Sequence, residues 1–248
     1  MTMLRRPALD LMVRNLQLRC PLGPEDQQAI LDLPHTVRVL ESGTYMVREA
    51  EAPKACAVVM SGFAFRQKLT GEGARQIVGL HTPGDAVDLQ HLFLDVADHS
   101  VQMLTRGEAA FIARSDLQHL SRTRPNVGHA ILIKILAEAS IFREWVLNVG
   151  RRDAQTRTAH LLCELAVRLE TMGLTAEYAF ELPMTQEQLG DAVGLTSVHI
   201  NRTLKVLEAQ GLISRTKRNI IFPDWQRLRV VGDFNERYLH LSLQGASS

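Results

Sequence analysis

Between Met184 and Ile213 the chain reads MTQEQLGDAVGLTSVHINRTLKVLEAQGLI, and no other stretch restricts its fold as tightly. Thr185 followed by Gln188 has the form of a capping box, in which hydroxyl and amide each satisfy a backbone N–H left open at a helix start. Gly194 ends that helix where a left-handed backbone is needed, so the turn after it is short. Thr196 caps a second helix, and Leu195 ahead of it is placed to pack on Ile200 as a hydrophobic staple. Leu189, Val193, Leu195, Ile200, Leu204 and Leu207 supply a shared apolar interior, and Gly190 is small enough to let the two helices cross closely. This is a helix-turn-helix pattern. At ~100° per residue, Ile200, Leu204 and Leu207 share one side of the second helix. Ser197, Val198, Asn201, Arg202 and Lys205 fan across the other, a face suited to hydrogen bonding.

Charge agrees with that reading. The chain of 248 residues has a formal net charge of only +1, which excludes neither nucleic acid nor membrane, so charge has to be read locally. From Thr196 to Phe222 the bases Arg202, Lys205, Arg215, Lys217 and Arg218 stand against a single acid, Glu208. Phosphate is the natural counterpart of such a stretch. ISRTKRNIIF reads as a β-hairpin with Lys217 to Asn219 at its tip, a basic wing beside the helices. An ordinary solvated hairpin would leave the polar helix face unexplained.

Upstream the pattern differs. From His35 to Ile112 short β-rich runs (TVRVL, CAVVMSG, FAFRQKL, RQIVGLH, SVQMLT, EAAFIA) alternate with turn signals at Ser42-Gly43, Ser61-Gly62, Gly71 to Gly73 and Pro83-Gly84. Many short strands at close spacing make a barrel, roll or sandwich. After Pro125 the pattern turns helical for about 25 residues, with Leu132, Ile135, Ala139, Phe142, Val146 and Val149 at alternating spacings of three and four, a two-stranded coiled-coil seam. Ile131, Ile133 and Trp145 make the helix apolar on a second face, so it needs two partners, one of them a second copy of the chain. Asn148 to Gly150 is the expected hinge, with a further helix in GRRDAQTRTAHLLCELAVRLE. The expected division is 1–124, 125–150 and 151–248.

Other classes are disfavoured by what is missing. The opening MTMLRRPALDLMVRN lacks the apolar stretch of a signal peptide and no run of ~20 apolar residues occurs, so a cytoplasmic protein is expected. Cys20, Cys56 and Cys163 are odd in number and widely spaced, and are read as buried, inert thiols. No His-x-His pair occurs, as a cupin-like metal enzyme would need, and no serine or cysteine has a base at recognisable spacing. An enzyme is not expected. A ligand-binding module without DNA activity is the other alternative, but it would have no use for the Ser/Asn/Arg/Lys set on the second helix.

Taken together, the glycine-punctuated β region, the long seam helix, TQEQLGDAVGLTSVHINRTLKVLEAQGLISR and the wing resemble the Crp/Fnr superfamily of bacterial transcription regulators over nearly the whole chain. The resemblance implies an α+β protein with an N-terminal β-roll of the cyclic-nucleotide-binding type, a dimerisation helix and a C-terminal winged helix-turn-helix domain. It also implies a homodimer that binds a near-palindromic double-stranded DNA site, contacts RNA polymerase and takes its signal at the roll. By the same resemblance Thr185, Gln186 and Thr196 fall at backbone-phosphate positions, to which His199, Lys205, Arg215, Lys217 and Arg218 are added. Ser197, Val198, Asn201 and Arg202 face the groove. Arg202 matches the family's guanine-reading arginine. Many members carry glutamate where this chain has Val198, which can contact only a thymine methyl.

The sensor half departs from the family. Cyclic-nucleotide-binding members place Gly-Glu before a short helix and Arg-Ser or Arg-Thr after it, the arginine forking onto the phosphate. Here the candidate pocket has Gly84, Asp85, His99 and Ser100, and imidazole does not replace that fork, so cyclic AMP is not an expected cofactor. Cys20 stands alone where iron–sulfur members cluster cysteines, so no such cluster is expected either. Asp85, Asp88, His91, Asp95, Asp98 and His99 in GDAVDLQHLFLDVADHS are read as solvated helix-end and loop residues rather than as a metal or anion site.

Overall fold

The computed structural model describes residues 8–175 and 178–241. Helices α1 (Asp10–Gln17) and α2 (Pro24–Leu31) precede strands β1 (His35–Leu40), β2 (Tyr45–Val47), β3 (Ala55–Val59), β4 (Ala64–Leu69), β5 (Arg75–His81), β6 (Ala86–Val87), β7 (Ser100–Met103) and β8 (Gly107–Ala113). A 3-10 turn, Leu89–Leu92, lies between β6 and β7. Among the described residues these strands form two four-stranded sheets, in the orders β1-β8-β3-β6 and β2-β7-β4-β5. In β3 the period-two alternation of a strand is used on both faces. Cys56 and Val58 join the core built with Leu9, Met12, Leu16, Ile30, Val127 and Ile131, whereas Ala57 and Val59 join the core of Val47, Ala64, Val101 and Met103. A strand buried on both faces reads as a continuous apolar run, which is why CAVV does not alternate.

The chain then runs through α3 (Arg114–Thr123), α4 (Pro125–Arg151), α5 (Ala154–Thr171), β9 (Phe180–Glu181), α6 (Gln186–Val193), α7 (Ser197–Ala209), β10 (Ser214–Thr216), β11 (Asn219–Ile221) and α8 (Trp225–Val231). Helix α4 is apolar on two faces, as expected. Val127, Ala130, Ile131 and Trp145 are buried, while Leu132, Phe142 and Val146 are exposed, together with Leu136 and Leu147, which the seam pattern did not include. Of the other seam positions Ala139 is exposed and Ile135 and Val149 are half-buried. The break after α4 is not at Asn148 to Gly150 as expected. Gly150 remains helical, and the chain turns at Arg152 and Asp153, whose carboxylate accepts from Thr156 N at 2.9 Å and so fixes where α5 starts.

The packing divides the chain into two compact units that do not follow chain order: Gln67–Gly79 belongs with Ser140–Leu239, and Leu80–Ala139 belongs with the chain up to Arg66. In the unit containing α6, Arg75 Nε and Nη2 each lie 2.7 Å from Asp191 Oδ2. Gln76 Nε2 donates to the carbonyls of Asp191 (2.7 Å) and Ala192 (3.3 Å), groups that a helix end leaves without an internal partner. In the same unit the buried Glu164 carboxylate accepts from Trp145 Nε1 (3.0 Å), Tyr238 OH (2.9 Å) and Arg168 Nη1 (3.2 Å). All three cysteines are free, but only Cys56 and Cys163 are buried, and their thiols are pushed up by burial. Cys20 is half-buried, against expectation, because it follows α1 at the margin of the core.

Candidate nucleic-acid interface

The two helices start as their sequences dictate. Thr185 Oγ1 accepts from Gln188 N at 3.2 Å and Gln188 Oε1 accepts from Thr185 N at 2.9 Å, closing the capping box. Gly194 ends α6 at φ +67°. Gly190 has a different task from the one expected. A Cβ there would lie 2.3 Å from the Leu195 carbonyl oxygen, so the close approach is to the turn backbone rather than to helix α7. Thr196 Oγ1 accepts from His199 N at 3.3 Å and lies 2.9 Å from His199 Nδ1, which fixes that ring at the start of α7.

Helix α7 has two opposed faces. Ile200, Thr203, Leu204 and Leu207 are buried, while Ser197, Val198, His199, Arg202 and Lys205 are exposed and Asn201 is half-buried. Val198, 58% exposed, and Val206, 43% exposed, are large apolar side chains on a face otherwise polar. Thr185 and Gln186 are exposed at the start of α6, where helix N–H groups favour phosphate oxygens.

The wing is a two-residue hairpin. Thr216 pairs with Asn219, and Lys217 at the turn has φ +59°. Strand β9 adds a third strand through Phe180↔Ile220 and Glu181↔Asn219, a pairing too short to show as periodicity. The five bases of this stretch differ in availability. Arg215 Nη2 lies 2.6 Å from Glu208 Oε2, and that hydrogen bond lowers the Glu208 carboxyl. Arg218 donates to the carbonyls of Leu182 (3.3 Å) and Pro183 (2.8 Å) and is 3.5 Å from Glu181. Among the described residues Arg202, Lys205 and Lys217 make no ion pair. With Thr185, Gln186 and Arg218, Lys217 lines a cavity of about 240 Å³ beside α6.

The candidate sensor pocket holds a buried ionic network, which corrects the solvated reading of Asp85, Asp88, His91 and His99; only Asp95 and Asp98 of that group are exposed. Gly84 takes φ +96° ahead of the network, and Ser100 Oγ accepts from Glu49 N at 3.0 Å. Asp85 Oδ2 accepts from Thr82 N (2.7 Å) and Thr82 Oγ1 (3.0 Å), and its Oδ1 from Lys134 Nζ (2.6 Å) and Asn15 Nδ2 (3.3 Å). Asp88 is 2.6 Å from Arg66 Nη2 and 2.9 Å from His99 Nε2, while His99 Nδ1 is 2.6 Å from Asp98. Arg66 also reaches Glu138 at 3.3 Å. Burial raises the Asp88 carboxyl, but Arg66 and the His99 hydrogen bond outweigh it and leave the group below the usual carboxylate range. His81 is pushed down to about 4 by burial, with Arg66 acting in the same direction. The network was missed because its partners are remote in sequence, although a lone Lys134 inside AILIKIL was a visible signal. Among the described residues, no group of three or more His, Cys, Asp or Glu side chains could hold a metal ion.

A β-roll followed by a long helix and a winged helix-turn-helix with one exposed polar face defines a regulator of the DNA-binding kind, and the comparisons agree. Residues 37–124 match the cyclic nucleotide-binding domain family, and residues 156–231 match the Crp-like helix-turn-helix domain family. The nitrogen fixation regulation protein FixK of Azorhizobium caulinodans is 31% identical over 173 residues, 69% of each chain. The transcriptional activator protein FnrL of Cereibacter sphaeroides is 28% identical over 213 residues, 84% of this chain and 85% of that one. The structure of FixK2 from Bradyrhizobium japonicum superposes with a TM-score of 0.74 at 26% identity, covering 80% of this chain and 98% of that one. The chain belongs to the Crp/Fnr family of transcription regulators. No described helix is long and apolar enough to cross a membrane.

Proposed function

We propose that the chain is a homodimeric, sequence-specific regulator of transcription in the cytoplasm, acting by binding rather than catalysis. Helix α7 of each copy enters one of two successive major grooves of a near-palindromic site. The observation that carries this reading is the divided helix α7, fully buried along Ile200, Leu204 and Leu207 and open along Ser197, Val198 and Arg202. Arg202 reads guanine O6 and N7 as a fork, Val198 meets a thymine methyl, and Ser197 and Asn201 complete the base contacts. Thr185, Gln186, Thr196, His199, Lys205 and Lys217 hold phosphates, with Arg215 and Arg218 contributing after exchanging their present partners. The exposed apolar stripe of α4 supports dimerisation, and the transcriptional activators among its relatives support contact with RNA polymerase. Cyclic nucleotides are not the signal, since no arginine stands at the clamp position and both ring nitrogens of His99 already face carboxylates.

In vitro selection of bound DNA from a random pool tests the reading, followed by two substitutions on the selected site. Arg202→Ala is expected to cost ~1–3 kcal/mol on that site while sparing non-specific affinity. Lys217→Ala should weaken all sequences alike and reduce the salt slope by about one unit. Recovery of no common motif, or a monomer protecting a single groove, refutes it.

A further inference from the structure

Lys134 is the charged residue of AILIKIL on α4 and is only 3% exposed. A buried ammonium persists only where it is paired. Its Nζ lies 2.6 Å from Asp85 Oδ1, and Asp85 is itself 2% exposed and held through its other oxygen by Thr82. One helical turn further on, Glu138 lies 3.8 Å from the same Nζ and 3.3 Å from Arg66, which binds Asp88 at 2.6 Å. Helix α4 is thus fastened to the roll through two charged side chains one turn apart, on Asp85 at one end and on Arg66 and Asp88 at the other.

Apolar contact is non-directional, so Val127, Ala130 and Ile131 alone fix the rotation and the height of α4 only coarsely. Short charge-assisted bonds fix both closely. Leu132 and Leu136, two residues to either side of Lys134 and so on the opposite side of the helix, are exposed, and the rotation fixed by Lys134 therefore decides which apolar stripe α4 offers. We propose that Lys134 is a positioning residue for DNA binding: a tethered cation that does permanently, through Asp85, what a bound small molecule would have to do from solution. The chain therefore binds DNA without added effector. The inference rests on the DNA-binding reading above and deepens it.

The test measures affinity for the selected site, in the absence of any small molecule, for the parent, Lys134→Ala and the double variant Lys134→Met with Asp85→Asn. The parent is expected to bind, and Lys134→Ala to lose about tenfold or more in affinity, within the usual range of coupling between sites. Added propylammonium, which has the three carbons and the ammonium that the substitution removes, should restore part of that loss, and tetramethylammonium, which has no N–H to donate, should not. The double variant removes both charges and so avoids a stranded buried carboxylate. It is expected to keep its melting temperature and its dimer in sedimentation while binding DNA as weakly as the single variant, and it decides the matter if the single variant fails to fold. Parental affinity in the double variant, or equal rescue by both cations, overturns the proposal. Failure of the parent to bind any DNA overturns the underlying reading instead.

Discussion

Replacing Gly190 with alanine puts a methyl group where backbone already stands. The new Cβ would lie 2.3 Å from the Leu195 carbonyl oxygen, 3.4 Å from its carbon and 3.6 Å from the Thr196 carbonyl carbon. Non-bonded atoms want roughly 3.5 Å, so helix and turn must separate by about 1 Å. The turn cannot yield freely, because Leu195 N donates to Gly190 O at 3.0 Å and the next residue is the cap of α7. Overpacking of this kind costs ~1–3 kcal/mol, from which the ~1 kcal/mol better helix propensity of alanine is subtracted, leaving a net loss of up to about 2 kcal/mol. The functional effect should be larger in proportion. A shift of about 1 Å at the start of α7 moves Arg202 off a two-bond fork, so most of its ~1–3 kcal/mol of base discrimination disappears. Urea unfolding measures the first quantity, and fluorescence anisotropy on selected and scrambled DNA measures the second. Gly150→Ala is the control, since a Cβ there meets nothing within 4 Å of a helical, exposed position and should stabilise by ~0.5–1 kcal/mol. A Gly190→Ala protein with parental stability and parental specificity would refute the argument.

Acid should destabilise the roll. His81 is held near 4 in the fold against an ordinary value of 6.5, so the unfolded chain takes up its proton first; the contribution is complete above pH 6.5 and falls by ~3 kcal/mol on the way to pH 4. Urea midpoints between pH 7.5 and 5 should show this slope, and His81→Leu should flatten it; an unchanged slope assigns it elsewhere. Titration with cyclic AMP or cyclic GMP is expected to leave DNA affinity unchanged, whereas a fivefold rise accompanied by one-to-one binding heat would refute the pocket argument. Asp153→Ala removes the cap of α5 and should cost ~1 kcal/mol in urea unfolding, with an unchanged midpoint contradicting the cap.

What was legible in the sequence is what short-range physics encodes. The capping box at Thr185, the left-handed Gly194 and the cap at Thr196 are each decided within four residues, and all three occur as read. The six longer strands of the roll declared themselves through residue type and turn glycines, while β2, β6 and β9, of two or three residues, are too short to carry a period. Tertiary partners were invisible. Asp85 and Asp88 looked solvated because Lys134, Asn15 and Arg66, which bury them, lie 49, 70 and 22 residues away. Arg215 and Arg218 looked equivalent to Lys217 until Glu208 and the Leu182 and Pro183 carbonyls took them up. The hinge was misplaced because a helix tolerates an exposed glycine more readily than it ignores a capping aspartate.

The hold of Arg75 and Gln76 on the end of α6 bears on how such a protein can be cut and recombined. The recognition half includes a segment that the chain lays down 115 and 116 residues earlier. A fragment begun at Ser140 would expose the carbonyls of Asp191 and Ala192 and strip Asp191 of its guanidinium, so it would be an incomplete body rather than a free-standing module. The converse constrains exchange: a foreign recognition half joined at the α4–α5 break would meet a β5 shaped for this α6. The two would have to be inherited, or engineered, as a matched pair.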